Sequence, residues 1–142
     1  MMRKKTKKIV LVFGTFDGIH DGHRYFLCEA KKLGHSLFIS LAQDSTVLKF
    51  KGKKPRLTLS KRKANLSAEK LADKIVAGDK KLGNWSAIKK WKPDIVALGY
   101  DQKNLGKALK KSRKNFPFSF TIKTIKPFKP EMCHSSILKA AT

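Results

Sequence analysis

The chain has 142 residues, 41 % of them apolar, and its 33 Lys and Arg against 10 Asp and Glu give a net charge of +23. That composition suits one domain, residues 1–142, with a buried core, and excludes a disordered chain; no apolar run is long enough to cross a bilayer. The start, MMRKKTKK, leads into an apolar run too short for a secretory signal, so a cytoplasmic location is expected.

KIVLVF (8–13) reads as a strand buried on both faces. GHRYFLCEAKKL (22–33) follows as a helix, with Gly34 as its stop, and Cys28 in it as a small buried side chain. SLFISLA (36–42) is a second strand, and LKFKGKKPRLT (48–58) a lysine-rich loop broken by Gly52 and Pro55. Thr58 or Ser60 is placed to cap a helix running to about residue 72. KIVAG (74–78), DIVALGY (94–100) and FSFTIKTI (118–125) supply three more strands, the last suited to an edge. Helices are expected over 84–91, about 104–114 and 134–141, with Ser135 or Ser136 capping the last. This alternation predicts an α/β fold: a Rossmann-like, mostly parallel five-stranded sheet with helices on both faces. Ligands in such sheets bind beyond the carboxyl ends of the strands, where the strand order reverses.

The segment after the first strand, GTFDGIHDGH (14–23), is a candidate for that place. Gly14 permits a tight turn and leaves room for a ligand to approach the backbone. His20 and His23, with Gly22 between them, fall at a helix start, where imidazole and backbone N–H groups form a site for an anion, polyphosphate best of all. Two bland readings stand beside this one. A His-x-x-His pair binds zinc only when two further ligands complete it, and none has matching spacing. In the other reading the histidines simply cap the turn, and Asp17 and Asp101 bind their own backbone.

The charge of +23 draws in nucleic acid, anionic membrane or phosphorylated metabolites, yet it is nearly all lysine, with five arginines, spread along the whole chain. A general lysine bias explains it as well as a nucleic-acid surface does. Cys28 and Cys133 suggest no disulfide framework.

GTFDGIHDGH resembles the GTFDxxHxGH signature of the cytidylyltransferase-like nucleotidyltransferases. The resemblance extends to KFKGKKP (49–55), similar to the family's lysine-bearing loop, and to Arg62, where the group often has an arginine. LGYDQ (98–102) and CHSS (133–136) are similar to segments of archaeal-type FAD synthetases. The glycerol-3-phosphate cytidylyltransferases resemble the chain less, because EMCHSSIL lacks their arginine-bearing segment ending in Ile-Ser-Thr-Thr.

The resemblance implies transfer of AMP from ATP to FMN, giving FAD and pyrophosphate. It implies that Gly14, Thr15, Phe16, Asp21 and Gly22 line the nucleotide, and that His20 and His23 bind the triphosphate and the departing pyrophosphate. Lys49 or Lys51 neutralises phosphate oxygens, Asp101 holds the nucleoside, and Ser135 and Ser136 grip phosphate. Magnesium, or another divalent cation, accompanies the nucleotide, carried mainly by its phosphates with no dedicated protein metal site. Dimers are common among proteins resembling this family. A CTP-dependent enzyme acting on glycerol 3-phosphate is the alternative within the family. A basic nucleic-acid-binding protein on the same fold is the alternative of another class, and steep salt dependence would mark it.

Overall fold

The computed structural model describes residues 7–80 and 84–127. Its strands are β1 (Ile9–Gly14), β2 (Ser36–Leu41), β3 (Lys74–Ala77), β4 (Ile95–Gly99) and β5 (Thr121–Ile125). They form one sheet in the order β3-β2-β1-β4-β5, with every pairing parallel. Val10, Leu11, Val12, Leu37, Ile39, Val96 and Ala97 are fully buried. Successive strand residues face opposite ways, so burial of whole runs requires cover on both sides of the sheet.

That cover comes from α1 (Asp21–Lys32), α2 (Asp44–Lys51), α3 (Leu59–Ala68), α4 (Ser86–Trp91) and α5 (Lys103–Ser112). Leu27 and Ala30 of α1 and Leu66 of α3 join Val10, Val12 and Ile39 in one core layer. Ile88 of α4 and Leu109 of α5 join Leu11, Phe38, Val96 and Leu98 in the other. The Rossmann-like α/β architecture expected from the alternation is the one observed, with β3 and β5 as the edges.

Three local expectations are corrected. The start of the lysine-rich segment is helical: α2 runs through Leu48–Lys51 and stops at Gly52, whose left-handed φ of 75° lets its N–H donate to the Leu48 carbonyl at 2.8 Å. The fifth strand begins only at Thr121, because Phe116, Phe118 and Phe120 turn toward one another in an aromatic cluster before it. The helix after residue 58 ends at Ala68 rather than near 72, with Thr58 as its cap. The helix expected over 134–141 lies outside the described residues. No helix among the described residues is long and apolar enough to cross a membrane.

Candidate active site

The order of the sheet reverses between β1 and β4, and a cavity of about 1000 Å3 opens there, at their carboxyl ends. The loop from Phe13 to Gly18 forms its floor, the first turn of α1 one wall, and Gly99–Gln102 after β4 another. Ile125, Lys126 and Pro127 close it beyond β5.

Each histidine does a structural job with one nitrogen. His20 is the N-cap of α1, and its Nδ1 accepts the Gly22 N–H at 3.0 Å. His23 reaches back so that its Nδ1 accepts the His20 N–H at 3.2 Å, giving a reciprocal capping box. The rings stack with centroids 3.8 Å apart and planes 28° from parallel. With Nδ1 accepting, a neutral imidazole carries its proton on Nε2, so the capping bonds fix the tautomer and leave Nε2–H as a donor. Burial, followed by the His20 charge, lowers the His23 pKa from 6.5 to about 4, against the opposing pull of Asp101. His23 is therefore neutral at pH 7. Capping occupies Nδ1 of each ring, and the anion-site reading calls only on Nε2.

The remaining first-turn N–H groups of α1 have no intrahelical carbonyl to meet, and they sit at the positive end of the helix dipole beside the cavity. Gly14, Thr15, Phe16, Asp21, Gly22 and Asp101 all line it. Asp21 is already paired there, its Oδ1 3.1 Å from Arg24 Nη1. Lys51 lines the cavity and Lys49 does not. Residues two apart on a helix point in nearly opposite directions, so α2 presents one of these lysines to the site and the other to solvent. Ser135 and Ser136 lie outside the described residues.

Gly14, besides lining the cavity, makes room for a side chain of its own loop: a Cβ there would lie 2.5 Å from Phe16 Cε2. One expectation about this loop is corrected. Asp17 is no local turn residue. Its carboxylate accepts the Arg56 N–H at 2.7 Å and the Leu57 N–H at 2.8 Å, about forty residues along the chain. Desolvation pushes the Asp17 carboxyl up, but those two N–H bonds and the Arg56 and Arg62 charges outweigh it and hold the pKa below 3.8.

Other cavity residues were assigned no individual role from the sequence. Gln102 closes the β4 turn: its Oε1 accepts the Gly99 N–H at 2.8 Å, and its Nε2 donates to the Phe13 carbonyl at 2.9 Å. This amide therefore ties the ends of β1 and β4 together, and it takes the backbone role considered for Asp101. Tyr25, Phe26 and Tyr100 add aromatic surface to the cavity, and Tyr100 is 55 % exposed. Tyr100 and Gln102 belong to the LGYDQ segment noted above, but an amide in a turn and scattered aromatics carry no spacing signal for these roles.

The chain matches the cytidylyltransferase-like family over residues 11–141. It belongs to that family. The matched stretch contains the whole of the cavity described above. Among individual relatives, the FAD synthase of Thermococcus sibiricus is 40 % identical over 113 residues, covering 80 % of this chain and 76 % of that protein. The FAD synthase of Methanosarcina mazei is 43 % identical over 94 residues, which are 66 % of this chain and 60 % of that one. Among solved structures, the lipopolysaccharide core biosynthesis protein from Thermoplasma volcanium GSS1 superposes with a TM-score of 0.72 at 34 % identity, covering 87 % of this chain and 98 % of that one. The family identity makes the chain a nucleotidyltransferase, and a nucleoside triphosphate is the substrate class that goes with it.

Proposed function

We propose that the chain is an FAD synthase, transferring AMP from ATP to FMN and releasing pyrophosphate. The observation that carries this reading is the pair of Nε2–H donors fixed at the start of α1, in a chain 40 % identical to a protein named FAD synthase. A cavity of about 1000 Å3 is at the upper end of the usual range for ligand sites, as two large substrates require.

In the transfer, a terminal phosphate oxygen of FMN attacks the α-phosphorus of ATP. A new P–O bond forms as the bond from the α-phosphorus to the bridging oxygen breaks, and pyrophosphate departs with the electron pair. The FMN phosphate is already ionised at pH 7, so the site needs no general base. It needs positioning and donors aimed at developing negative charge. The His20 and His23 Nε2–H groups and Lys51 supply those donors toward the triphosphate. Thr15 and Phe16 line the nucleotide with their backbone, and Asp101 holds the nucleoside.

Magnesium is proposed to accompany the triphosphate, carried mainly by its phosphates with few protein ligands. When bound, the ion neutralises phosphate charge. Ser135 and Ser136 are proposed to complete the grip on phosphate.

The test is pyrophosphate release by pure protein with magnesium, each nucleoside triphosphate in turn, and FMN or glycerol 3-phosphate. Release with ATP and FMN alone is expected. Release that needs CTP and glycerol 3-phosphate would sink the proposal.

A further inference from the structure

Arg62 is the only charged side chain fully buried among the described residues. Its guanidinium donates in three directions: from Nε to the Leu57 carbonyl at 3.1 Å, from Nη1 to the Thr15 carbonyl at 2.9 Å, and from Nη2 to Asp44 Oδ1 at 2.6 Å. Three segments therefore meet on one side chain: the loop that precedes the histidines, the first turn of α2, and the approach to α3. A buried cation is retained only where such partners satisfy it, and the planar fork of arginine is suited to several fixed acceptors at once.

The residue next to that Thr15 carbonyl is strained. Phe16 has φ = +50°, a conformation bulky residues leave unless their surroundings hold them. A tether stands on each side of it. Thr15 is fixed through its carbonyl by Arg62, and Asp17 through its carboxylate by the Arg56 and Leu57 N–H groups. Leu57 serves both tethers, donating its N–H to Asp17 and offering its carbonyl to Arg62. The buried Phe16 ring held this way lies against His23, with centroids 5.3 Å apart and planes at 60°.

We propose that Arg62 is a positioning residue for the transfer step: braced by Asp44, it fixes the Thr15 carbonyl and thereby the Phe16 ring that backs His23. Because Asp44 belongs to the helix that ends in Lys51, the same side chain joins the histidine donors and the cavity lysine in one frame. Arg62 itself is sealed from the cavity and touches no substrate.

The kinetic part rests on the nucleotidyl-transfer reading; the geometric part does not. The experiment compares wild type with Arg62→Lys, which keeps the charge and loses the fork, and Asp44→Ala, which keeps the fork and loses its brace. Each is assayed for kcat and for KM of ATP, well below its own unfolding temperature. The His23 ring-proton resonances, which sense the ring current of Phe16, are recorded on the free protein.

Displacement by about an ångström costs on the order of 100-fold in rate. Arg62→Lys is therefore expected to lower kcat by about that factor while KM for ATP changes less than roughly threefold, and to move the His23 resonances. Asp44→Ala should act in the same direction to a smaller degree, and it decides the matter if Arg62→Lys does not fold. A kcat within about twofold of wild type, or a loss matching the unfolded fraction with the His23 resonances unmoved, would overturn the inference. Failure of the wild type to make FAD from ATP and FMN would instead remove the acceptor assignment, while the His23 resonances would still report on Arg62.

Discussion

His20 and His23 stack 3.8 Å apart at the start of α1, and each turns its Nδ1 to a backbone N–H. The pair is therefore locked before any substrate arrives. A donor that needs no reorientation during the reaction contributes more to transition-state stabilisation than one that must first be ordered.

Asparagine separates the two jobs of His20. It is among the best N-cap residues, so His20→Asn should retain the thermal stability of the domain, whereas His20→Ala loses about 1 kcal/mol of cap. Neither variant has the Nε2–H donor, and removal of one such donor costs roughly 100- to 1000-fold in kcat. Unfolding curves and turnover for both variants check this. Near-normal turnover in His20→Asn would mean that capping is all the residue does.

The depressed pKa of His23 has a stability consequence. The unfolded chain binds this proton more tightly than the folded one. His23 thus contributes stability that is complete above 6.5 and is lost as pH falls toward 4. Asp17, with its pKa held below 3.8, adds a further loss only at more acid pH. Thermal midpoints followed from pH 7 to pH 4 should decline, and the decline should be shallower in His23→Asn. A proton titration of the His23 ring with a midpoint near 6.5 would contradict the assignment.

Lys51 and Lys49 should differ in effect although both belong to α2. Loss of a charged partner to phosphate costs on the order of tenfold in binding, so Lys51→Ala should raise KM for ATP or FMN by about that factor. Lys49→Ala should change neither constant more than about twofold. Equal effects would show that the helix presents both side chains to the substrate.

The net charge of +23 should appear in the kinetics as well. ATP and FMN are anions, and a positive field raises their encounter rate until salt screens it, over a Debye length of about 10 Å at 0.1 M. From roughly 0.05 to 0.5 M KCl, kcat/KM for both substrates should fall at least about threefold while kcat stays nearly level. Parallel steady-state assays at several salt concentrations measure this. A flat kcat/KM would mean that the lysines do not steer the substrates.

The sheet was legible because β1, β2 and β4 are buried on both faces and read as unbroken apolar runs. The position of the cavity followed from the turn after β1. Helix α2 was not legible: Val47 is its one buried residue, and its lysines resemble those of a loop. Arg62 and Asp17 were hidden for a different reason. A charged side chain reads as surface in a sequence, and only the fold brings Thr15 and Asp44 to Arg62, or the Arg56 and Leu57 N–H groups to Asp17. Sequence also framed the histidines as either caps or ligand donors. The two readings call on different nitrogens of each ring, so one does not exclude the other.

Transfer of AMP to FMN is followed most directly at the α-phosphorus itself. The protein is incubated with magnesium, FMN and ATP labelled with radioactive phosphorus at the α-position, and the products are separated. Label is expected in FAD, with unlabelled pyrophosphate in equal amount, and both are expected to be lost in His20→Asn. Label recovered only in unreacted ATP, ADP or AMP, with transfer appearing instead from CTP to glycerol 3-phosphate, would contradict this expectation.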